Sequence, residues 1–170
     1  MQVTIRKFQQ NDIPKKVEWI NNPKNNHFLH YDLPLNVEKT TQWFIRNKNR
    51  TDRFDGVIVA DGVAVGTIGL LGIDQKNSKA EFYIAMGEMS YKGKGIAKEA
   101  SLLMLDYAFK KLGLNRVYLF TEEGNTLAQK LFERIGFTQE GLLKEDVLSH
   151  DKLANRYIYS LLKKDWEIHG

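Results

Sequence analysis

Lys92-Gly93-Lys94-Gly95-Ile96-Ala97-Lys98 follows one apolar segment directly and opens another of helical period. Glycines at 93 and 95 let the backbone turn tightly and approach a ligand with no Cβ in the way. The first N–H groups of a helix have no partner inside it and sit at the positive end of its dipole, so they suit an anion. Lys92, Lys94 and Lys98 add positive charge at the same point. The chemistry this predicts is the holding of a phosphate or pyrophosphate. A P-loop needs Gly, four residues, then Gly-Lys-Ser/Thr, but five residues separate Gly87 from Gly93, and Gly95 follows Lys94 where a hydroxyl should stand. A dinucleotide fingerprint would need glycine or alanine in place of Lys98. These residues alone leave open an ordinary helix start in a Gly/Lys surface loop.

Glu81 stands among Ala80, Phe82, Ile84 and Met86, a charge inside an apolar strand. Burial raises a carboxylate's pKa toward neutrality, which suits a base that takes a proton from an ammonium group. A structural glutamate, bonded to a neighbouring strand or facing solvent, is the other reading. Residues 19–44 carry Trp19, Asn21, Asn22, His27, His30, Tyr31 and Trp43, a dense set of rings and amides for two helices and a loop. His27 and His30 also read as surface histidines. The chain has no cysteine, so disulfides, thiolate metal sites and a cysteine-linked intermediate are excluded. No serine has a supporting His/Asp arrangement. No residues have zinc spacing, and no metal is expected.

The elements that must position these groups alternate from end to end. Strands are expected at 2–8, 54–60, 63–73, 79–87, 115–121, 137–146 and 154–162. Asp61-Gly62 is a two-residue hairpin signal between the second and third. Asn11 or Asp12 can cap a first helix, with Pro14 tolerated in its first turn, and Asn36 can cap a second. Ile96, Ala100, Leu103 and Tyr107 recur at helical spacing in a helix over about 94–111, stopped by Gly113. A fourth helix spans 125–135, up to Gly136. Strands 79–87 and 115–121, joined by a helical crossover, must be parallel. One α/β domain over 1–170 is expected.

The glycine–lysine run resembles the donor signature of the GNAT family of N-acetyltransferases, Gln/Arg-x-x-Gly-x-Gly/Ala, with Lys92 as the first-position cation. A second family signature, Asn-x-x-Ala-x-x-Leu-Tyr-Glu-x-x-Gly-Phe, is met by Asn125, Ala128, Leu131, Glu133, Gly136 and Phe137. The resemblance runs from the first strand to about Leu162. It implies a twisted mixed sheet of about seven strands, helices on both faces, splayed where strands 79–87 and 115–121 diverge. It also implies acetyl-CoA as donor and direct attack by a primary amine. Backbone groups of Ile84 and Met86 would pair with the pantetheine amides, and those of Gly93 to Lys98, through Gly95, Ile96 and Ala97, would hold the pyrophosphate. Asn125 would contact or brace the pantetheine arm. The family often has a tyrosine acid where this chain has Phe132, which leaves Tyr157, His150 or water for that proton.

The resemblance makes Glu81 the base and places Trp19, Asn21, His30, Tyr31 and Trp43 in the acceptor wall. Trp19-Ile20-Asn21-Asn22 with Trp43-Phe44 looks like the branch that acetylates nucleotide-linked amino sugars. Ribosomal-protein N-terminal and polyamine acetyltransferases share these features, so a small-molecule amine or a peptide N-terminus is expected as acceptor. A non-catalytic acyl-CoA-binding module is the reading that Phe132 motivates.

Hydrophobic residues make up 42% of the 170 and charged residues 27%, a balance that excludes a disordered chain. No apolar run spans a bilayer, and the N-terminus lacks a signal peptide's apolar block, so a cytoplasmic location without membrane partner is expected. The net charge of +4 is spread along the chain. It fits a solvated surface or a phosphorylated ligand better than nucleic acid. A homodimer is compatible with this composition.

Overall fold

The computed structural model describes residues 1–169. Seven strands form one mixed sheet: β1 Val3–Lys7, β2 Phe54–Ala60, β3 Val63–Asp74, β4 Lys79–Met86, β5 Arg116–Glu122, β6 Thr138–Ser149 and β7 Lys152–Leu162. Their spatial order is β1-β2-β3-β4-β5-β7-β6. Only β4 and β5 run parallel, because the crossover between them contains a helix. The Asp61-Gly62 turn has both residues at positive φ, 48° and 82°, as a two-residue hairpin requires.

Helices cover both faces. On one side α1 (Ile13–Asn21) and α2 (Val37–Asn47) enclose a small core of Phe8, Ile13 and Val57. On the other, α3 (Ile96–Asp106) and α4 (Thr126–Ile135) cover the main core around Ile68, Phe82, Leu105 and Phe137. The β2 sequence serves both: Val57 faces the first core and Ile58 the second, the period-two alternation of a strand buried on two sides. The Asn36 side chain accepts from Lys39 N at 2.8 Å, capping α2 as expected. Asp12 leads into α1 without capping it; its carboxylate is instead held by Arg6 and by Gln9 N.

Three features differ from the sequence reading. The helix expected over 94–111 is α3 followed by one π-helical turn, Tyr107–Lys111, ended at Gly113 with φ +66°. β6 and β7 are longer than expected and meet at His150-Asp151, both at positive φ. That pair lacks the Asn-Gly or Asp-Gly sequence that marks such a turn. A fifth helix, α5 (Lys163–His169), was too short to show a period; its Trp166 packs on Phe109 at 6.0 Å between ring centres.

Candidate functional site

The parallel pair stays together for three rungs only: Lys79 with Arg116, Ala80 with Val117 and Glu81 with Tyr118. Beyond Glu81 the strands part. β4 continues to Met86 held by β3 alone, and β5 continues to Glu122 held by β7 alone. The β5-facing edge of β4 over residues 82–86 therefore presents backbone donors and acceptors with no ladder partner among the described residues. Such an edge accepts an added, strand-like chain of amides. Ile84 and Met86 share a face with the buried Phe82 but are only half-buried, since the gap removes their neighbours.

The chain leaves this edge into the glycine–lysine loop. Gly93 and Gly95 have φ of +76° and +78°, the left-handed region that favours glycine, and Gly95 is the N-cap of α3. A Cβ at either would meet no atom within 4 Å, so the space above them is open to a ligand. Lys92, Lys94 and Lys98 are exposed around it. Lys92 bonds the Asn25 side chain, and the Lys94 ammonium lies 5.6 Å from the centre of the Tyr91 ring. Ile96 is buried and anchors the first turn of α3, while Ala97 is half-buried.

Across the gap, the Thr121 hydroxyl on β5 is buried without a hydrogen-bond partner, a rare condition in a folded chain and one that a ligand can relieve. Asn125 caps α4, its side chain accepting from Ala128 N at 3.3 Å. Phe132 is 5% exposed and packs edge-on against Phe82 and Phe137, at 5.7 and 5.6 Å. It is a core residue with nothing polar to offer. The open edge, the amide-rich helix start and the orphaned hydroxyl together fit a long donor that carries phosphates at one end and amides along its arm.

Glu81, on the last shared rung, points to the opposite face. It is half-buried, and burial raises its pKa above the ordinary carboxylate value, against the opposing pull of the Arg156 charge. Two residues on, the Tyr83 hydroxyl donates to Asp55 Oδ1 at 2.6 Å, and Asp55 is gripped by Arg53 through two bonds of 2.8 and 2.9 Å. The Tyr83 ring reaches Asp55 by lying across Gly69, where a Cβ would come within 2.6 Å of it.

Sequence reasoning missed Lys16. It is 7% exposed, with Nζ 3.4 Å from the Trp43 ring centre and 5.7 and 5.8 Å from those of Phe8 and Tyr31. Burial lowers its pKa to about 8. The spacing of Lys16 with Ile13, Val17 and Ile20 on the inner face of α1 was the available signal.

The residues expected in the acceptor wall fall into three places. Trp19 is buried over Gly87, where a Cβ would sit 2.2 Å from its ring, and its Nε1 donates to Glu88 at 2.9 Å. Asn21 exchanges two bonds with the Leu35 backbone. Asn21 and the Trp19 carbonyl, which accepts from Asn25 Nδ2 at 3.1 Å, brace the segment 22–36. Tyr31 and Trp43 surround Lys16. His30 bonds Glu122, at the end of β5, at 2.8 Å, and Glu122 also accepts from Ser149. Since Asn25 donates to the Gly87 carbonyl just past β4, the 22–36 segment runs between the two diverging strand ends. His27 stacks near His150, whose Nε2 lies 2.9 Å from the His27 carbonyl.

A strand edge open to amides, leading from a glycine–lysine helix start to a carboxylate, fits a transferase that draws on a phosphorylated acyl carrier. A sequence model described as the acetyltransferase (GNAT) domain matches residues 2–138, and the chain belongs to that family. It is an N-acetyltransferase whose donor is acetyl-CoA. It is 28% identical over 169 residues to "Uncharacterized N-acetyltransferase p20" of Bacillus licheniformis, covering 96% of this chain and 94% of that one. It is 30% identical over 174 residues to "Putative ribosomal N-acetyltransferase YdaF" of Bacillus subtilis, covering 97% and 93%. A crystal structure of spermidine N-acetyltransferase from Vibrio cholerae with CoA and spermine shares the fold, with a TM-score of 0.91 at 23% identity over 98% of each chain. No helix among the described residues is long and apolar enough to cross a membrane.

Proposed function

We propose that this enzyme acetylates the primary amine of a nucleotide-linked amino sugar by direct attack in a ternary complex, with Glu81 as the base. The observation that carries the reading is the position of Glu81. Its half-buried carboxylate, with a raised pKa, stands on the last rung before β4 and β5 part. Bound acetyl-CoA supplies the thioester carbonyl; the amine forms the C–N bond there as the C–S bond breaks and the thiolate leaves. Backbone N–H groups of Gly93 to Lys98 hold the pyrophosphate, and the free edge at Ile84 and Met86 pairs with the arm. Peptide N–H groups near Met86 stabilise the developing oxyanion. Glu81 takes the proton that the acceptor's ammonium must lose.

Two observations favour an oxygen-rich acceptor over a polyamine. The rings of Tyr118 and Phe120 share the Glu81 face, with the Arg156 guanidinium over Phe120 and its charge acting on Glu81 while it also bonds Asp146. The nearby carboxylates are already engaged: Asp55 by Arg53 and Tyr83, Glu122 by His30 and Ser149, Glu88 by Trp19 and Lys15. A polyamine, with several ammonium groups, needs free carboxylates. The polyamine reading draws on the Vibrio cholerae structure with spermine. The test is an acceptor screen with acetyl-CoA and a free-thiol readout, covering nucleotide-linked amino sugars, polyamines and N-terminal peptides. Turnover of polyamines alone overturns the amino-sugar reading; no turnover with any amine overturns the assignment of Glu81.

A further inference from the structure

A cavity of about 390 Å³ lies at the end of the sheet where β2 begins, between α2 and the π-helical turn. This volume is in the range of small-ligand sites. Its walls are aromatic, with Trp43, Phe44, Phe54 and Tyr107, and Lys7 and Lys48 stand at its rim. Arg50 and Arg53 also border it, but each is neutralised by a bidentate aspartate, Asp52 and Asp55. Lys7 and Lys48 form no salt bridge among the described residues. The site thus combines flat apolar surface with two uncommitted cations.

We infer that this cavity receives the base and phosphates of the acceptor, a nucleoside-diphosphate group, while the sugar amine reaches Glu81. The inference rests on the amino-sugar reading above. Register supplies the link between the two places. Glu81 pairs with Leu71 and Phe82 with Leu70, while Leu70 pairs with Phe54. Arg53, just before Phe54, is therefore level with Leu71 and Glu81, two strands away. Two interstrand spacings come to roughly 10 Å, a span that a hexose and a diphosphate bridge. Arg53 is on the Glu81 face, since its guanidinium lies 5.6 Å from the Trp43 ring centre. The Arg53 side of the cavity and the Glu81 carboxylate thus stand level with each other on one face of the sheet. The π-helical turn is a second sign of function. Its wide-ring bond from Leu112 N to Tyr107 O, 3.0 Å, holds a geometry found frequently at functional sites, and both residues line the cavity.

The experiment titrates the full chain with UDP, dTDP, GDP and CMP by calorimetry, and follows acceptor kinetics in the double variant Lys7→Glu, Lys48→Glu. Both lysines are on the surface, so folding is preserved; a circular-dichroism melt checks it. One nucleotide is expected to bind, to compete with the acceptor and not with acetyl-CoA, and to weaken as salt rises. The double variant should lose that affinity at least tenfold and raise the acceptor KM by a similar factor, with kcat and acetyl-CoA Kd unchanged. Absence of binding by all four overturns the inference. So does binding that the variant leaves intact, or binding that does not compete with the acceptor. The two readings fail separately. If no nucleotide-linked amine is turned over, the acceptor class is wrong. If one is turned over and the variant's KM is unchanged, the cavity is wrong.

Discussion

Glu81 carries a charge in a place that costs it hydration, and a base for an ammonium needs that disposition. Glu81→Gln keeps the shape and removes the basic site. It should lower kcat by on the order of 10²–10⁴-fold and leave the acetyl-CoA Kd near wild type. The acidic limb of the kcat/KM profile should vanish with it. Its melting temperature should not fall, because the variant removes a partly buried charge. A few-fold change in kcat with the pH profile intact would assign the proton to water. Lys16 is the second residue of this kind. Its folded-state pKa of about 8 lies below its ordinary value of 10.5. Between those values the unfolded chain binds the extra proton, so stability rises with pH across that window. Relative to Lys16→Met, the wild type should therefore gain on the order of 3 kcal/mol between pH 8 and 10.5. Urea unfolding at a series of pH values checks this. A constant difference would mean the ammonium is not desolvated.

At the scale of elements, the donor site proposed at the start of α3 rests on its backbone. Gly95 needs φ +78°, which a β-branched residue adopts only under strain. Gly95→Val should abolish acetyl-CoA binding by tilting the first N–H groups of the helix away, while Lys94→Ala, which removes an exposed side chain, should weaken it only a few-fold. Calorimetry on both variants distinguishes backbone from side-chain recognition, and wild-type affinity in Gly95→Val would remove the loop from the site. Asn36 and Asn125 show how capping residues fix where elements begin. The same asparagine that the family signature marks as a donor contact spends its side-chain oxygen on the α4 cap.

For the whole molecule, one sheet holds the open β4 edge, the Glu81 carboxylate and the aromatic face in a fixed relation. The parting of β4 and β5 is possible because each keeps its other neighbour, β3 and β7, along the whole of the gap. α5 closes the base of the main core through Trp166, which is 7% exposed. Trp166→Ala should cost about 3–5 kcal/mol, read from the urea midpoint, with the acetyl-CoA Kd unchanged at permissive temperature. Loss of donor binding in the folded variant would show that the end of the sheet and its mouth are coupled.

The sequence by itself determined the seven strands, the parallel pair, the glycine–lysine turn that opens α3 and the family, because each rests on local period, turn chemistry or a short contiguous signature. It also singled out Glu81, as a charge inside an apolar run. It missed the His150-Asp151 turn, which lacks glycine or asparagine, and α5, which is shorter than two full periods. Tertiary structure alone decided which aromatic residues meet. Trp19, Asn21 and Trp43 were all expected in the acceptor wall; the fold sets Trp19 over Gly87, Asn21 on the Leu35 backbone and Trp43 over Lys16. Spacing with Ile13, Val17 and Ile20 puts Lys16 on the inner face of α1 but not under a set of rings. Its burial depends on Phe8, Tyr31 and Trp43 converging from three separate segments, a contact set that no spacing along the chain encodes. The orphaned Thr121 hydroxyl and the row from Glu81 to Arg53 are of the same kind, since strand register and the loss of a neighbouring strand exist only once the sheet has formed.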